Sequence, residues 1–182
     1  MQAVADALGV SRKALHYYVG DRQGLLSLVV VDRFEAEFAH VDLPTHADWQ
    51  SVLRSYAHAF RDGLIQVGVT VDHTPLRGAG ATAALTLAER VLDVMLSAGF
   101  APDDARRGLT TLANVAQSAA QSTIRSAAGQ HDYGTETQAA LADTDGDYPA
   151  LRRALAGAPS SDAGQFDFEL AVVIAGLEAR LR

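Results

Sequence analysis

The sequence contains no cysteine and only one lysine, Lys13. The chain therefore has no disulfide, no thiolate metal ligand and no cysteine nucleophile, and we expect a cytoplasmic location because a reducing compartment suits such a composition. Long apolar runs are also missing. The longest near the start, residues 25–31, contains Ser27 and stops at Asp32. It is too short to span a bilayer, and a signal-peptide pattern is absent, so no membrane partner is predicted.

Strand-like alternation and catalytic motifs are scarce as well. Apolar residues recur every three or four positions almost throughout, which predicts an all-α fold. No GxSxG, P-loop or HExxH pattern occurs, and we predict neither catalytic residues nor an enzyme. The length of 182 residues allows one or two domains, and the 48% apolar fraction is that of a globular protein.

Three helices are predicted in the first forty residues. The first spans about residues 1–8 and ends at Gly9, and the second spans about residues 12–18, with Ser11 as its N-cap and Tyr18 on its inner side. Asp21 is expected to cap a third helix whose apolar face includes Leu28 and Phe38. The pattern breaks at Pro44.

Further helices are predicted after Asp48, over residues 83–98, from Pro102 onward, and over residues 166–181. The segment 68–80 is interpreted as a loop or broken helix, and the polar segment 128–148 as a mobile loop. Residues 108–124 carry no ionisable side chain, so we expect this helix to be covered on more than one side. Together with the last helix it predicts a four-helix interface in a homodimer.

Charge is distributed unevenly along the chain. Residues 1–33 carry four cations and three anions, a net charge of +1. Because the whole chain has a net charge of -7, the remaining residues have a net charge of -8. Within the first segment, Arg12 and Lys13 are the first two residues of the predicted second helix. The short first helix, the glycine turn and this second helix are typical of a helix-turn-helix, whose second helix enters the major groove of DNA.

The stretch VADALGVSRKALHYYVGDRQGLLSLV resembles the DNA-binding domain of the tetracycline-repressor (TetR) family of bacterial transcriptional regulators. The stretches DWQSVLRSYAHAF, LDVMLSAGFAPDDA and FDFELAVVIAGLEARL are similar to the ligand-binding domain of the same family. The resemblance implies a helix-turn-helix domain with its connecting helix at residues 1–40 and a ligand-binding and dimerisation domain at residues 41–182. It further implies double-stranded operator DNA and a small-molecule effector as partners.

Carried onto this sequence, the resemblance implies base contacts from Arg12, Lys13 and His16, and DNA-backbone contacts from Tyr17 and Arg22. Ala14 stands where the family often has a hydroxyl that touches phosphate. Family members also begin with one more helix, which here is missing or lies before Met1. If the protein began at Met1, we would expect Val4, Leu15 and Leu28 to lack a covering layer and DNA binding to be weakened.

The resemblance also implies a ligand pocket among the core helices. The side chains expected to line it are Tyr56, Phe60, His73, Val91, Leu109, Thr110, Ala113 and Asn114. For most of them a plain core role is an alternative, whereas Asn114 is interpreted as a buried amide that needs a partner.

A metal-bound effector is not expected. The tetracycline repressor binds a magnesium complex through histidine and glutamate, and the glutamate position falls here on Ser122, while His73 lies only near the histidine position. We therefore predict no metal and no cofactor, and a small hydrophobic or aromatic effector that releases a repressor from DNA.

Two other functions are open at this stage. Glu37 and His40 have the Glu-x-x-His spacing of di-iron helical bundles, and with Asp42 and His46 they allow a metal site, although a second copy of the motif is missing. His58 is interpreted as a surface histidine. The other alternative is an all-α dimeric small-molecule-binding protein without DNA binding.

Overall fold

The computed structural model describes residues 1–44, 48–68, 78–129, 133–156 and 162–181, and α-helices joined by turns make up these ranges. These ranges contain no strand, and the all-α prediction is confirmed. The helices are α1 Gln2–Ala7, α2 Arg12–Val19, α3 Arg22–Phe38, α4 Trp49–Val67, α5 Gly78–Ser97, α6 Pro102–Ala127, α7 Tyr133–Ala142, α8 Pro149–Leu155 and α9 Asp162–Glu178. No helix in the described ranges is long and apolar enough to cross a membrane.

Short polar side chains begin the helices near the N-terminus. The hydroxyl of Ser11 accepts a hydrogen bond from the Ala14 amide at 3.1 Å, and the carboxylate of Asp21 accepts one from the Gly24 amide at 2.9 Å. Both caps were predicted, and both satisfy amides that the first helical turn leaves without a partner. They fix where α2 and α3 start.

The turn between α1 and α2 depends on Gly9. Its φ of +66° lies in the left-handed region that glycine occupies without strain. The amide of Val10 then donates to the carbonyl of Ala5 at 3.0 Å and closes the turn. Ala5 is fully buried, so the small side chain lets the three N-terminal helices pack closely. We call α1, α2 and the N-terminal half of α3 the head.

Helices α4, α5, α6 and α9 form the core bundle, whereas α7 and α8 contact each other. Helix α4 packs on α6, α9 covers another side of α6, and α3 packs on α4 and α5. The largest fully buried side chains are Phe34, Phe166, Leu53, Met95, Leu112 and Leu170. Because Phe34 belongs to α3, the helix that leaves the head is built into the core of the bundle.

The prediction of a loop over residues 128–148 is wrong in its central part. Helix α7 covers Tyr133–Ala142, and it pairs with α8. Leu141 is buried, and the guanidinium of Arg152 donates to its carbonyl at 3.1 Å. The polar composition of this segment predicted a loop, but contacts with α8 stabilise α7 as a helix. Likewise α5 begins at Gly78, inside the predicted loop 68–80, whose residues 69–77 lie outside the described ranges.

Two side chains predicted to face inward in the head are exposed. Tyr18 is 80% exposed and Leu28 is 53% exposed. Leu15, by contrast, is buried and Val4 is half-buried, because the contacts among α1, α2 and α3 cover them. The expectation that Leu15 lacks cover is therefore wrong, because α1 and α3 pack around α2.

Candidate functional site

The exposed face of α2 carries the residues predicted to contact DNA. Arg12, Lys13, His16 and Tyr17 are all exposed. Their spacing of one, four and five residues places them on one side of the helix. Arg22, at the first position of α3, is exposed as well. The head therefore presents two arginines, a lysine, an imidazole and a phenol to solvent.

The cations of this face have no acidic partner among the described residues. Within the described part of the chain, no ion pair includes Arg12, Lys13 or Arg22. The ring of Tyr17 meets that of Tyr18 edge to face, with centroids 5.3 Å apart. Because arginine and lysine side chains can donate to guanine edges and to phosphates, the surface has the chemistry to bind a nucleic acid groove.

Helix α3 connects this face to the bundle. Its 17 residues extend about 25 Å at 1.5 Å per residue. The guanidinium of Arg33 donates to the carbonyl of Gln66 in α4 at 3.3 Å, and that of Arg90 in α5 donates to the carbonyl of Val41 at 2.7 Å. Two hydrogen bonds thus attach α3 and the segment after it to the bundle.

A cavity of about 180 Å³ lies where α3 meets the bundle. It is lined by Phe34, Phe38, Tyr56, Phe60, Leu64, Ala84, Leu87 and Gln117. The rings pack closely, with centroid distances of 4.1 Å between Phe34 and Phe38, 5.2 Å between Phe38 and Phe60, and 5.7 Å between Tyr56 and Phe60. We call this space the aromatic cavity. Flat apolar molecules fit such a wall.

Burial changes the ionisation of the phenol in this wall. Tyr56 is buried, and desolvation of the phenolate raises its pKa to about 12. The group is therefore neutral at physiological pH. Gln117 adds a neutral amide, so the described lining of the aromatic cavity carries no formal charge.

Of the predicted pocket residues, Tyr56 and Phe60 line the aromatic cavity. Val91 is fully buried in the core, Leu109 packs against that core, and Ala113 is half-buried. None of these three lines the cavity. His73 lies outside the described residues.

The interpretation of Asn114 as a buried amide is wrong. Asn114 and Thr110 are both exposed, because α6 buries Gly108, Leu112 and Ala116 and these two positions lie on its opposite side. Thr110 donates its hydroxyl to the carbonyl of its own helix at Arg106, at 3.0 Å. The amide at the cavity is instead Gln117.

Sequence reasoning missed Gln117, Phe34 and Phe38 as lining residues. Gln117 directly follows the buried Ala116, so the helical period of α6 could have placed it at the edge of the buried side. Phe38 was assigned to the apolar face of α3, and the spacing of such residues could not distinguish a core ring from a ring in a cavity wall.

A second cavity, of about 310 Å³, lies between α3 and α5. It is lined by Glu35, Phe38, Ala39, Thr82, Ala83, Thr86, Leu87 and Arg90. We call it the α3–α5 cleft. Unlike the aromatic cavity, it combines a carboxylate, a guanidinium and two hydroxyls with apolar side chains. Phe38 and Leu87 line both spaces, so the two adjoin.

The candidate metal ligands do not form a cluster in the described ranges. Glu37, His40 and Asp42 are exposed near the end of α3, and His46 lies outside those ranges. No group of three or more histidine or carboxylate side chains that could hold a metal is found among the described residues. His58 is half-buried rather than free on the surface, with its Nε2 atom 3.3 Å from the carboxylate of Asp167.

The outer sides of α6 and α9 carry few charges. On α6, Thr111, Asn114 and Ser118 are exposed. On α9, Phe168 is 65% exposed and Val172 is 55% exposed, although the opposite side of the helix is buried. Exposed apolar residues at this helical spacing are typical of an interface between proteins.

The comparison with protein families gives one match. The model described as the tetracyclin repressor-like C-terminal domain matches residues 43–181. A search of the curated proteins found no match.

Solved structures share the fold. A possible TetR family transcriptional regulator from Streptomyces coelicolor A3(2) superimposes with a TM-score of 0.78 at 23% identity, covering 98% of this chain and 88% of that one. ActR from Streptomyces coelicolor in complex with actinorhodin gives 0.71 at 23%, covering 100% and 87%. A variant TetR from Acinetobacter baumannii in complex with minocycline gives 0.66 at 20%, covering 100% and 85%.

Proposed function

This chain belongs to the tetracycline-repressor-like family of transcriptional regulators, and we propose that it is a repressor that an aromatic effector releases from its operator DNA. Members of this family are regulators and not enzymes, so the alternative of a di-iron enzyme is excluded. The observation that carries the proposal is the pairing of an exposed cationic face on α2 with an aromatic cavity at the other end of α3.

Double-stranded DNA is the proposed partner of the head. Arg12, Lys13 and His16 contact base edges in the major groove, and Tyr17 and Arg22 contact the sugar-phosphate backbone. Support comes from the exposure of all five side chains and from the absence of ion pairs to the three cations in the described part of the chain. A helix-turn-helix protein reads two half-sites when it is a dimer.

A homodimer is the proposed assembly. Helices α6 and α9 of two copies form a four-helix interface through the exposed faces that include Asn114, Ser118, Phe168 and Val172. The support is the low charge of these faces and their exposed apolar side chains. The symmetry of such a dimer gives the two heads a fixed separation, which two half-sites about 34 Å apart require.

The proposed effector is a flat, mostly apolar molecule that binds the aromatic cavity. Rings from α3 and α4 line this cavity, so a ligand between them changes how α3 packs, and α3 carries the head. Effector binding and DNA binding are then coupled by one free energy that acts in both directions. ActR and TetR, which share the fold, have been solved with actinorhodin and minocycline respectively.

We do not propose magnesium-bound tetracycline as the effector. Ser122 occupies the position of the glutamate that the resemblance implies, and a serine hydroxyl does not replace a carboxylate ligand. Thermal-shift measurements with aromatic antibiotics and metabolites, each with and without Mg²⁺, test this point. A stabilising ligand that requires Mg²⁺ and is lost in His73→Ala would contradict it.

Fluorescence anisotropy with the DNA upstream of the protein's own gene tests the repressor. We expect binding that weakens with salt, and at least a tenfold loss of affinity in Arg12→Ala and in Lys13→Ala. Arg153→Ala, which removes an exposed cation from α8, is the control and retains affinity. If the upstream DNA bound no more tightly than random DNA, the repressor proposal would fail, and a dimeric ligand-binding protein without DNA binding would replace it.

A further inference from the structure

The α3–α5 cleft presents opposite charges to one space. Glu35 of α3 and Arg90 of α5 both line it, and both are half-buried. No ion pair to either side chain occurs within the described ranges. One nitrogen of Arg90 donates to the carbonyl of Val41 at 2.7 Å, and this bond orients the guanidinium. Its other N–H groups can donate to a ligand.

These groups match a ligand with two kinds of polar atom. A guanidinium binds a carboxylate or another anionic acceptor through charge-assisted hydrogen bonds. A glutamate carboxylate accepts a hydrogen bond from a donor such as a phenol hydroxyl. Thr82 and Thr86 add hydroxyls to the same lining. A purely apolar molecule would offer no hydrogen-bond partner to the carboxylate of Glu35 or to the remaining N–H groups of Arg90.

The cleft is also the neighbour of the aromatic cavity. Phe38 and Leu87 belong to the linings of both. The volumes of about 310 Å³ and about 180 Å³ accommodate one elongated molecule only if it extends past these two side chains. Its ring end meets the aromatic wall and its polar end meets Glu35 and Arg90.

We propose that the α3–α5 cleft is a subsite for the polar end of the effector, and that the effector is therefore a fused-ring aromatic acid with a hydroxyl beside the acidic group. This inference rests on the proposed function, since it defines the chemical class of the molecule that binds at the end of α3. It adds Glu35, Thr86 and Arg90 to the ligand-binding residues.

The position of the subsite explains how such a ligand acts on the head. Phe38 is the last residue of α3, and its ring lies against Gly63 of α4. Because Phe34 and Phe60 hold this ring in place, a molecule that extends past Phe38 displaces α3 together with the ring. Glu35 is in the same helix one turn earlier. Both ends of the ligand thus contact α3, which transmits the change toward α2.

The test uses three probes and fluorescence titration of the full chain. The probes are naphthalene, 2-naphthoate and 3-hydroxy-2-naphthoate, which share a ring system and differ in their polar groups. We expect 2-naphthoate to bind at least tenfold more tightly than naphthalene, and the hydroxy acid to bind several-fold more tightly again. In Arg90→Gln, both acids fall to the affinity of naphthalene, whose own affinity changes less than twofold.

Two further variants leave the Arg90 hydrogen bond to Val41 intact. Thr86→Val weakens both acids several-fold, and Glu35→Gln removes the advantage of the hydroxy acid over the plain acid. Thr135→Val, on an exposed position of α7, is the matched control and changes none of the affinities. Circular dichroism melting verifies that each variant is folded.

Three results would overturn the subsite. They are equal affinity for the three probes, unchanged affinity of the acids in folded Arg90→Gln and Thr86→Val, and no binding of any probe up to its solubility. Anisotropy with operator DNA is measured on the same ligand-free variants, none of which alters the head. If the unmodified chain binds DNA but shows no preference for the acids, the subsite alone is refuted, whereas absence of DNA binding in the unmodified chain refutes the proposed repressor.

Discussion

Gly63 is the point where the connecting helix comes closest to α4. A Cβ atom at this position would lie 2.6 Å from the tip of the Phe38 ring. That ring cannot easily swing away, because it is buried and its neighbours are Phe34 and Phe60. A glycine in the middle of a helix costs about 1 kcal/mol relative to alanine. Close packing of α3 on α4 is the structural reason for this glycine.

We predict that Gly63→Ala is destabilising despite its better helix propensity. The added methyl group forces Phe38 out of its position, and such overpacking costs about 1 to 3 kcal/mol. Urea unfolding measures the change. Gly176→Ala serves as the control, because no atom lies within 4 Å of a Cβ built there. A stabilised Gly63→Ala would mean that Phe38 moves without cost.

The ionisation of Tyr56 makes the free energy of unfolding depend on pH in the alkaline range. Its pKa is raised by burial to about 12, against about 10 for an unfolded tyrosine. The folded state therefore holds the proton more tightly. The contribution is complete below pH 10 and is lost as the pH rises toward 12, by up to about 2 to 3 kcal/mol.

We expect Tyr56→Phe to lose a smaller amount of stability between pH 9 and pH 11.5 than the unmodified chain does. Urea unfolding at a series of pH values gives both curves, and their difference isolates this phenol from the other tyrosines. Parallel curves would show that Tyr56 ionises as freely in the folded chain as in the unfolded one.

At the scale of elements, helix α9 has two apolar sides. Phe166, Leu170 and Ile174 are buried against the bundle, whereas Phe168 and Val172 point outward. The absence of ionisable side chains over residues 108–124 of α6 could be read from the sequence, because such residues can be counted. It could not tell which side of α6 faces outward, since Thr, Ser, Ala and Asn are compatible with either environment. Asn114 was therefore placed on the wrong side.

We predict that Phe168→Glu converts a dimer into monomers. A charge at the centre of an apolar interface is not compensated and costs several kcal/mol when it is buried. Analytical ultracentrifugation measures the mass. Leu85→Glu makes the same change at a residue of α5 that is 70% exposed, and it leaves the dimer intact. Monomers in the unmodified chain, or dissociation by both variants, would contradict an interface at α9.

For the whole molecule, charge and function are separated along the chain. The total of -7 combines a slightly positive segment of 33 residues with a remainder of -8. Acidic surfaces repel DNA, so the proposed complex depends on few cationic contacts. The same separation is visible in the structure, where Arg12, Lys13 and Arg22 all lie exposed in the head.

We expect operator binding to depend only modestly on salt. Each phosphate contact contributes a slope of about -0.9 to log K against log salt. Arg22→Ala should reduce the magnitude of the slope by about one for each head that contacts DNA, and Arg153→Ala should leave it unchanged. Fluorescence anisotropy measured at salt concentrations from about 50 to about 200 mM gives the slopes. An unaltered slope in Arg22→Ala would remove this residue from the backbone contacts.

The sequence by itself determined the helical class, the caps at Ser11 and Asp21, and the exposed cations of α2. These depend on local periodicity and on side chains that bond to their own helix, and both can be read along the chain. Only the tertiary structure decided that Gln117 and not Asn114 faces the aromatic cavity, that Phe38 separates it from a polar cleft, and that α7 is a helix. These features depend on which helices meet, at what depth and with which side, and no spacing within one helix records its neighbours.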